Sequence, residues 1–414
     1  MRRITLFFVV TKMKSLSMKK ISLLLLTILS AIFTYGQVKT LPLSNYIELR
    51  DGLNHVKARL IAHKKTTVAF LGGSITFNEG WRNQVCAYLQ KSYPYTKFHF
   101  ISAGIPSLGS LPHAFRFRQD VLDSGKIDLL FLESAVNDQV NGTDSITQVR
   151  ALEGIVRHAK RKNPKTDIVM MSFADPEKTA KYNEGIVPLS VANHERIASH
   201  YGLPSINLAK AIRDKLQNKE FDWDKDFKDL HPSPFGQQLY FEAITTMLGE
   251  AFNSKNKRPV INEKPPAALD RFNFSNGRYY SITKANTDVT WSLIGDWKPE
   301  DQLGTREKFV HIPVLESNQI GASLTLGFKG TAIGMAIVSG GDAGIVSYRI
   351  DNGTEKQVDL FTPWSNSLHL PWYILFQGDL PNRQHTLTLR INADKNPSSK
   401  GNACRIVNFF LNRL

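Results

Sequence analysis

The stretch TTVAFLGGSIT, residues 66–76, is an almost continuous apolar run that closes on two glycines and a serine. A strand with one solvated face alternates apolar and polar side chains, whereas a strand covered on both faces does not. This stretch therefore reads as an inner strand of a parallel sheet. Three more segments have the same spelling: KFHFISAG (97–104), DLLFLESA (128–135) and DIVMMSFA (167–174). A shorter run, PSINLA (204–209), is a candidate fifth strand. Between them lie segments with helical spacing at 81–92, 110–123, 146–162 and 189–201, and a closing helix is expected over 235–252. This alternation predicts an α/β fold: three α/β/α layers around a parallel sheet with right-handed crossovers.

The rhythm changes beyond residue 252. NSKNKRPVINEKPPAA (253–268) is polar and carries three prolines, the composition of a linker. After it come SLTLGFKGTAIGMAIVSG (323–340), IVSYRIDNG (345–353), HTLTLRINAD (385–394) and CRIVNFFLNRL (404–414). These alternating runs, broken by Gly, Asn and Asp, predict an all-β sandwich of jelly-roll type.

The start of the chain reads as an export signal. From Met18 two lysines precede an apolar run, 21–33, which ends in Thr34, Tyr35 and Gly36. That order, with cleavage expected after Gly36, defines a secretory signal, and the run is too short to span a bilayer. The expected organisation is a signal peptide over 1–36 with its true start at Met18, an α/β domain over 37–252, a linker over 253–268 and a β-domain over 269–414. A periplasmic or extracellular location follows. Of 414 residues, 42% are apolar and 21% charged, which excludes a disordered or multi-pass membrane chain. The formal charge is +15, and six of the basic residues precede residue 37. The remaining excess is dispersed rather than gathered in a stripe, which argues against nucleic acid as the partner.

In an open parallel sheet, ligands bind beyond the carboxyl ends of the strands. The first strand is followed there by Gly72-Gly73-Ser74, the second by Gly104-Ile105-Pro106-Ser107-Leu108-Gly109, the third by Ala135-Val136-Asn137-Asp138. Near the end of the domain stands Asp226-Phe227-Lys228-Asp229-Leu230-His231-Pro232-Ser233. A hydroxyl, a glycine-rich turn, a carboxamide and a histidine beside acids are the parts of a serine-nucleophile acyl hydrolase. Singly each has a plainer reading: Ser74 as a helix cap, Asn137-Asp138 as a turn, His231 as a packed histidine.

The order GGSIT, glycine turn, AVND, DLHP resembles the SGNH hydrolases, also called GDSL-type esterases and lipases. FLGGSIT followed by GWR looks like the exported bacterial carbohydrate esterases that carry an accessory β-domain. The resemblance implies Ser74 as nucleophile and His231 as general base. The sequence has no phosphate loop and no His-Glu-x-x-His or paired-Cys spacing, so catalysis is expected without cofactor or metal. It implies an oxyanion hole from the backbone N–H of Ser74, the backbone N–H of Ser107 and the side chain of Asn137. Three departures stand out. The acid before the nucleophile is absent. Ser107 stands where a glycine is usual, a change that suits a backbone donor if φ stays ordinary, with Gly104 and Gly109 freeing the turn. Lys228 occupies the usual position of the acid, leaving Asp229, Asp226 or no acid to complete the triad; Asp229 is preferred.

Glu133 interrupts an apolar strand and must be paired or neutral if buried, with Arg82 a candidate partner. Four of six tryptophans fall in the β-domain, and FTPWSNSLHLPWY (361–373) is the expected exposed loop, making Trp364 and Trp372 candidate sugar-binding residues. Cys86 and Cys404 are read as buried thiols by default, with pairing left open. The sequence thus points to an esterase acting on O-acyl, most simply O-acetyl, groups of a polysaccharide or glycan. The alternatives are a lipase or lysophospholipase and a non-catalytic glycan-binding protein.

Overall fold

The computed structural model describes residues 39–253 and 265–413; the signal segment and most of the linker lie outside them. Strands β1 (Ile47–Glu48), β2 (Thr66–Gly72), β3 (Phe98–Gly104), β4 (Leu129–Glu133), β5 (Asp167–Met171) and β6 (Ser205–Ile206) form one sheet in the order β1-β6-β5-β4-β2-β3. All pairs are parallel except β1 with β6. The helices are α1 (Asn54–Ile61), α2 (Ser74–Phe77), α3 (Trp81–Ser92), α4 (Ser110–Asp120), α5 (Ala135–Val140), α6 (Ser145–Lys162), α7 (Pro176–Asn183), α8 (Leu189–His200), α9 (Leu208–Gln217) and α10 (Pro234–Asn253).

The continuous apolar runs are explained by two cores, one on each side of the sheet. Val68, Phe70, Leu129, Phe131, Val169 and Met171 face α1, α3, α9 and α10. Their neighbours Ala69, Leu71, Leu130, Leu132, Ile168 and Met170 face α4, α6 and α8. Successive side chains of a strand point to opposite faces, so only a run apolar at every position serves both.

The second half holds two antiparallel sheets, as a sandwich requires. One runs β15 (Leu370–Gln377), β12 (Ala332–Ser339), β17 (Cys404–Asn412), β10 (Ile312–Ser317), β9 (Ser292–Trp297), with β7 (Gly277–Tyr280) also on β17. The other runs β14 (Lys356–Asp359), β13 (Ile345–Ile350), β16 (Arg383–Ile391), β11 (Ser323–Gly330), β8 (Asn286–Thr287). Strand β11 alternates buried and open residues, whereas β12 is buried along its whole length. The reason is that the β12 sheet is itself a middle layer. Ile333, Met335 and Ile337 pack into the sandwich, while Ala332, Ala336 and Val338 join the core of α4 and α6. Phe115 of α4 stacks against Phe410 of β17 with ring centroids 4.4 Å apart, and against Phe274 at 5.0 Å. The two halves therefore share one hydrophobic core.

Residues 265–268 follow the α/β surface, where Arg157 donates to the Pro266 carbonyl and His200 Nε2 lies 2.8 Å from that of Ala267. The expected loop 361–373 ends earlier than its spelling suggests. Leu370 to Tyr373 begin the edge strand β15, and Pro371 is tolerated there because an edge strand has one unpaired side. Both cysteines are free; Cys404 is buried and Cys86 half-buried.

Candidate active site

Renumbered along the parallel strands alone, the order β3-β2-β4-β5-β6 is 2-1-3-4-5, and the chain reverses direction across the sheet between β2 and β4. A crevice opens at such a switch point. Ser74 follows β2 as the first residue of α2, and Asn137 follows β4 inside α5, so the two flank it.

The short helix α2 is gripped from behind by the GWR segment. Trp81 is wholly buried among Phe70, Phe131 and Phe173, and its Nε1 donates to the Ile75 carbonyl at 3.2 Å. Arg82 Nε donates to the Thr76 carbonyl at 2.9 Å and its Nη2 to that of Phe77 at 3.3 Å. Arg82 is therefore not the partner of Glu133. Glu133 instead accepts the Val136 backbone N–H at 3.1 Å, near the buried Lys178, and burial pushes its carboxyl up to about 7.

His231 arrives from the segment before α10. Ser233 accepts the Gly236 N–H at 3.4 Å as a helix cap and Pro234 opens the helix, while Phe227 anchors the loop by stacking on Trp223 at 4.7 Å. His231 Nε2 lies 2.8 Å from Ser74 Oγ. On the other side of the ring, Nδ1 is 3.7 Å from Asp229 Oδ1, beyond hydrogen-bond reach, and that carboxylate accepts the backbone N–H of His231. Asp226 is engaged elsewhere, taking the Asp222 N–H at 2.8 Å.

Asn137 is buried, and its carboxamide has no hydrogen-bond partner among the described residues. A Cβ on Gly73 would fall 2.0 Å from Asn137 Nδ2, so only glycine lets the turn at Ser74 and the carboxamide approach this closely. Its neighbour Asp138 is buried, accepts the Ser110 N–H at 2.7 Å and hydroxyl at 2.9 Å, and is pushed up to about 7 by burial. That contact ties α5 to the first residue of α4.

Ser107 departs from the expected ordinary backbone: its φ is 71°, in the left-handed region. Such a residue costs on the order of 1 kcal/mol and must be held from outside. Asn141 Nδ2 donates to its carbonyl at 2.9 Å, and Arg306 Nη2, from the β-domain, donates to its hydroxyl at 2.9 Å. Gly104 and Gly109 are not in that region. They are needed for space, since a Cβ would meet the Phe77 backbone at 2.5 Å and Asp138 Oδ1 at 2.4 Å.

Ser74, Ser107, Asn137, His231, Arg306 and Trp364 all line one cleft of about 420 Å³. Trp372 does not. It borders a separate recess with Arg150 and Tyr373, its ring 6.0 Å from that of Trp364. Trp291 and Trp297 are buried. Arg306 was not legible beforehand, because it sits in an irregular loop with no motif around it. Among the described residues no group of three or more His, Cys, Asp or Glu is placed to hold a metal, and no helix is long and apolar enough to cross a membrane. A hydroxyl against an imidazole, beside unengaged amide donors, can attack a carbonyl carbon and stabilise the resulting oxyanion.

Residues 70–239, which hold Ser74, Ser107, Asn137 and His231, match the GDSL-like lipase/acylhydrolase family. The fold is similar to that of a two-domain esterase (CEX) active on acetylated mannans. In its structure co-crystallized with mannopentaose, the TM-score is 0.68 at 21% identity over 89% of this chain and 98% of that one. A second structure of that esterase gives a TM-score of 0.68 at 21% identity, over 89% of this chain and 99% of that one. No curated protein matches the chain.

Proposed function

Starting from residues 70–239 as a GDSL-like lipase/acylhydrolase domain, we propose that this protein is an exported serine esterase that removes O-acyl groups, most simply acetyl, from a polysaccharide or glycan. The observation that carries the reading is the 2.8 Å contact of Ser74 Oγ with His231 Nε2 in a cleft that both halves of the chain wall. His231 takes the Ser74 proton as Oγ bonds to the ester carbonyl carbon. The negative charge that forms on the carbonyl oxygen is met by the backbone N–H groups of Ser74 and Ser107 and by Asn137 Nδ2. As the intermediate collapses, the C–O bond to the sugar breaks and the proton passes from His231 to the leaving alcohol. Water, deprotonated by the same imidazole, then attacks the acyl-serine and releases the acid.

A glycan rather than a lipid is supported by Trp364 in the cleft lining, an aromatic of the kind that stacks on sugar rings, and by the related fold of an esterase active on acetylated mannans. The test is a chain-length series of nitrophenyl esters alongside acetate release from acetylated polysaccharides. The proposal expects the acetate ester to be cleaved at least as well as the octanoate, with acetate released from at least one polymer. A clear preference for octanoate with no release from any polymer overturns it in favour of a lipase.

A further inference from the structure

The cleft carries an unusual charge balance. No carboxylate lines it among the described residues, and apart from His231 its one ionisable side chain is Arg306. Arg50, Arg150 and Arg405 have carboxylate partners, Glu195, Asp270 at 2.8 Å and Glu316 at 2.9 Å, and the half-buried Arg82 and Arg157 each donate to two oxygens, whereas Arg306 is held more sparely. Arg306 has none among the described residues. Its one hydrogen bond there is Nη2 to Ser107 Oγ, and its Nε is buried without a partner. Burial lowers its pKa with no neighbouring acid to oppose the shift. A guanidinium stays charged at any working pH, so a half-buried one without a counter-charge carries a desolvation cost that an anion in the cleft would offset.

We propose that Arg306 receives a carboxylate of the substrate, and that the substrate is an O-acylated acidic glycan built from uronic or other carboxylated sugars. Arg306 holds the side chain of Ser107, whose backbone N–H is assigned to the oxyanion. The carboxylate is thereby set beside the reacting carbonyl, on the acylated sugar or the one next to it. The planar guanidinium suits a carboxylate, which it can meet through two N–H groups at once. The inference rests on the ester-hydrolase reading of Ser74 and His231.

The experiment compares acetate release from O-acetylated polygalacturonate with release from the same polymer after its carboxyl groups are reduced to alcohols. Acetyl content is matched, and nitrophenyl acetate serves as the readout of chemistry alone. Wild type is expected to favour the acidic polymer in kcat/KM by at least about tenfold, the scale of one charge-assisted contact. Arg306→Gln should lose at least tenfold more on the acidic polymer than on nitrophenyl acetate, mainly through KM. Arg306→Lys, which keeps the charge, should recover part of the preference. If wild type cleaves nitrophenyl acetate but shows no preference between the polymers, the proposal fails and the esterase stands. Equal losses on polymer and nitrophenyl acetate in Arg306→Gln would mean that Arg306 only steadies the Ser107 turn. If wild type cleaves no ester at all, the underlying reading fails first.

Discussion

His231 and Asp229 stand 3.7 Å apart, Nδ1 to Oδ1, and the carboxylate is occupied by the backbone N–H of the histidine it would orient. Both side chains are substantially exposed, 48% and 67%. An acid so placed is screened by solvent and holds the ring loosely, although catalytic contacts often tighten when substrate binds. Asp229→Ala should therefore lower kcat/KM on nitrophenyl acetate by about 10- to 100-fold, well short of the loss from removing the nucleophile. A loss equal to that of Ser74→Ala would show a full triad in the working enzyme.

Gly73 offers a test of the proposed oxyanion site that leaves Ser74 in place. The added methyl of Gly73→Ala falls on Asn137 Nδ2 and must displace it. Losing one oxyanion donor costs on the order of 10²–10³ in kcat. Gly73→Ala and Asn137→Ala should each show about that loss, and the double variant little more than either. Additive losses in the double variant would mean that the two residues act apart.

Glu133 predicts a pH-dependent stability. Its pKa is 4.5 when free and about 7 when buried, so the folded state holds the proton more tightly. Its favourable contribution is complete below about 4.5, declines as pH rises to about 7 and is flat above. Buried neutral His113 and His194, held below their ordinary value, give the opposite slope, so the comparison must be made within a variant pair. Glu133→Gln should gain stability over wild type between pH 5 and pH 8, by up to about 3 kcal/mol. Denaturant midpoints at the two pH values measure it, and a constant difference would contradict the assignment.

The shared core of Phe115, Phe274 and Phe410 predicts cooperative unfolding of both halves. Phe410→Ala should cost about 3–5 kcal/mol and shift a single thermal transition. Two separated transitions in wild type would mean that the halves unfold independently.

The α/β half was legible because strands buried on both faces leave runs that no half-solvated strand would have. TTVAFLGG and DIVMMSFA fall on β2 and β5. The closing helix, expected over 235–252, spans Pro234–Asn253. Helices α1, α5, α7 and α9 were not anticipated: the first three are short, and Leu208 and Ala209, which open α9, fall in the run expected as the fifth strand, of which only Ser205–Ile206 is one. Ser74, Ser107, Asn137 and His231 could be picked out because strand ends in such a sheet converge on one edge. What the sequence could not show was side-chain placement: Arg306 reaching Ser107 across 199 residues, Trp372 bordering a recess outside the cleft, and Arg82 turned to the nearby Thr76 and Phe77 carbonyls rather than to Glu133. The placements of Arg306 and Trp372 depend on how the β12 sheet docks on α4 and α6, which no local pattern encodes.

The central claim is that Ser74, activated by His231, breaks an ester. Acetate release from an acetylated polysaccharide, measured for wild type and Ser74→Ala at equal concentration, tests it most directly. The account predicts release by wild type and a loss of about 10³-fold or more in the variant, the scale of a removed nucleophile. Equal release by the two proteins would contradict it.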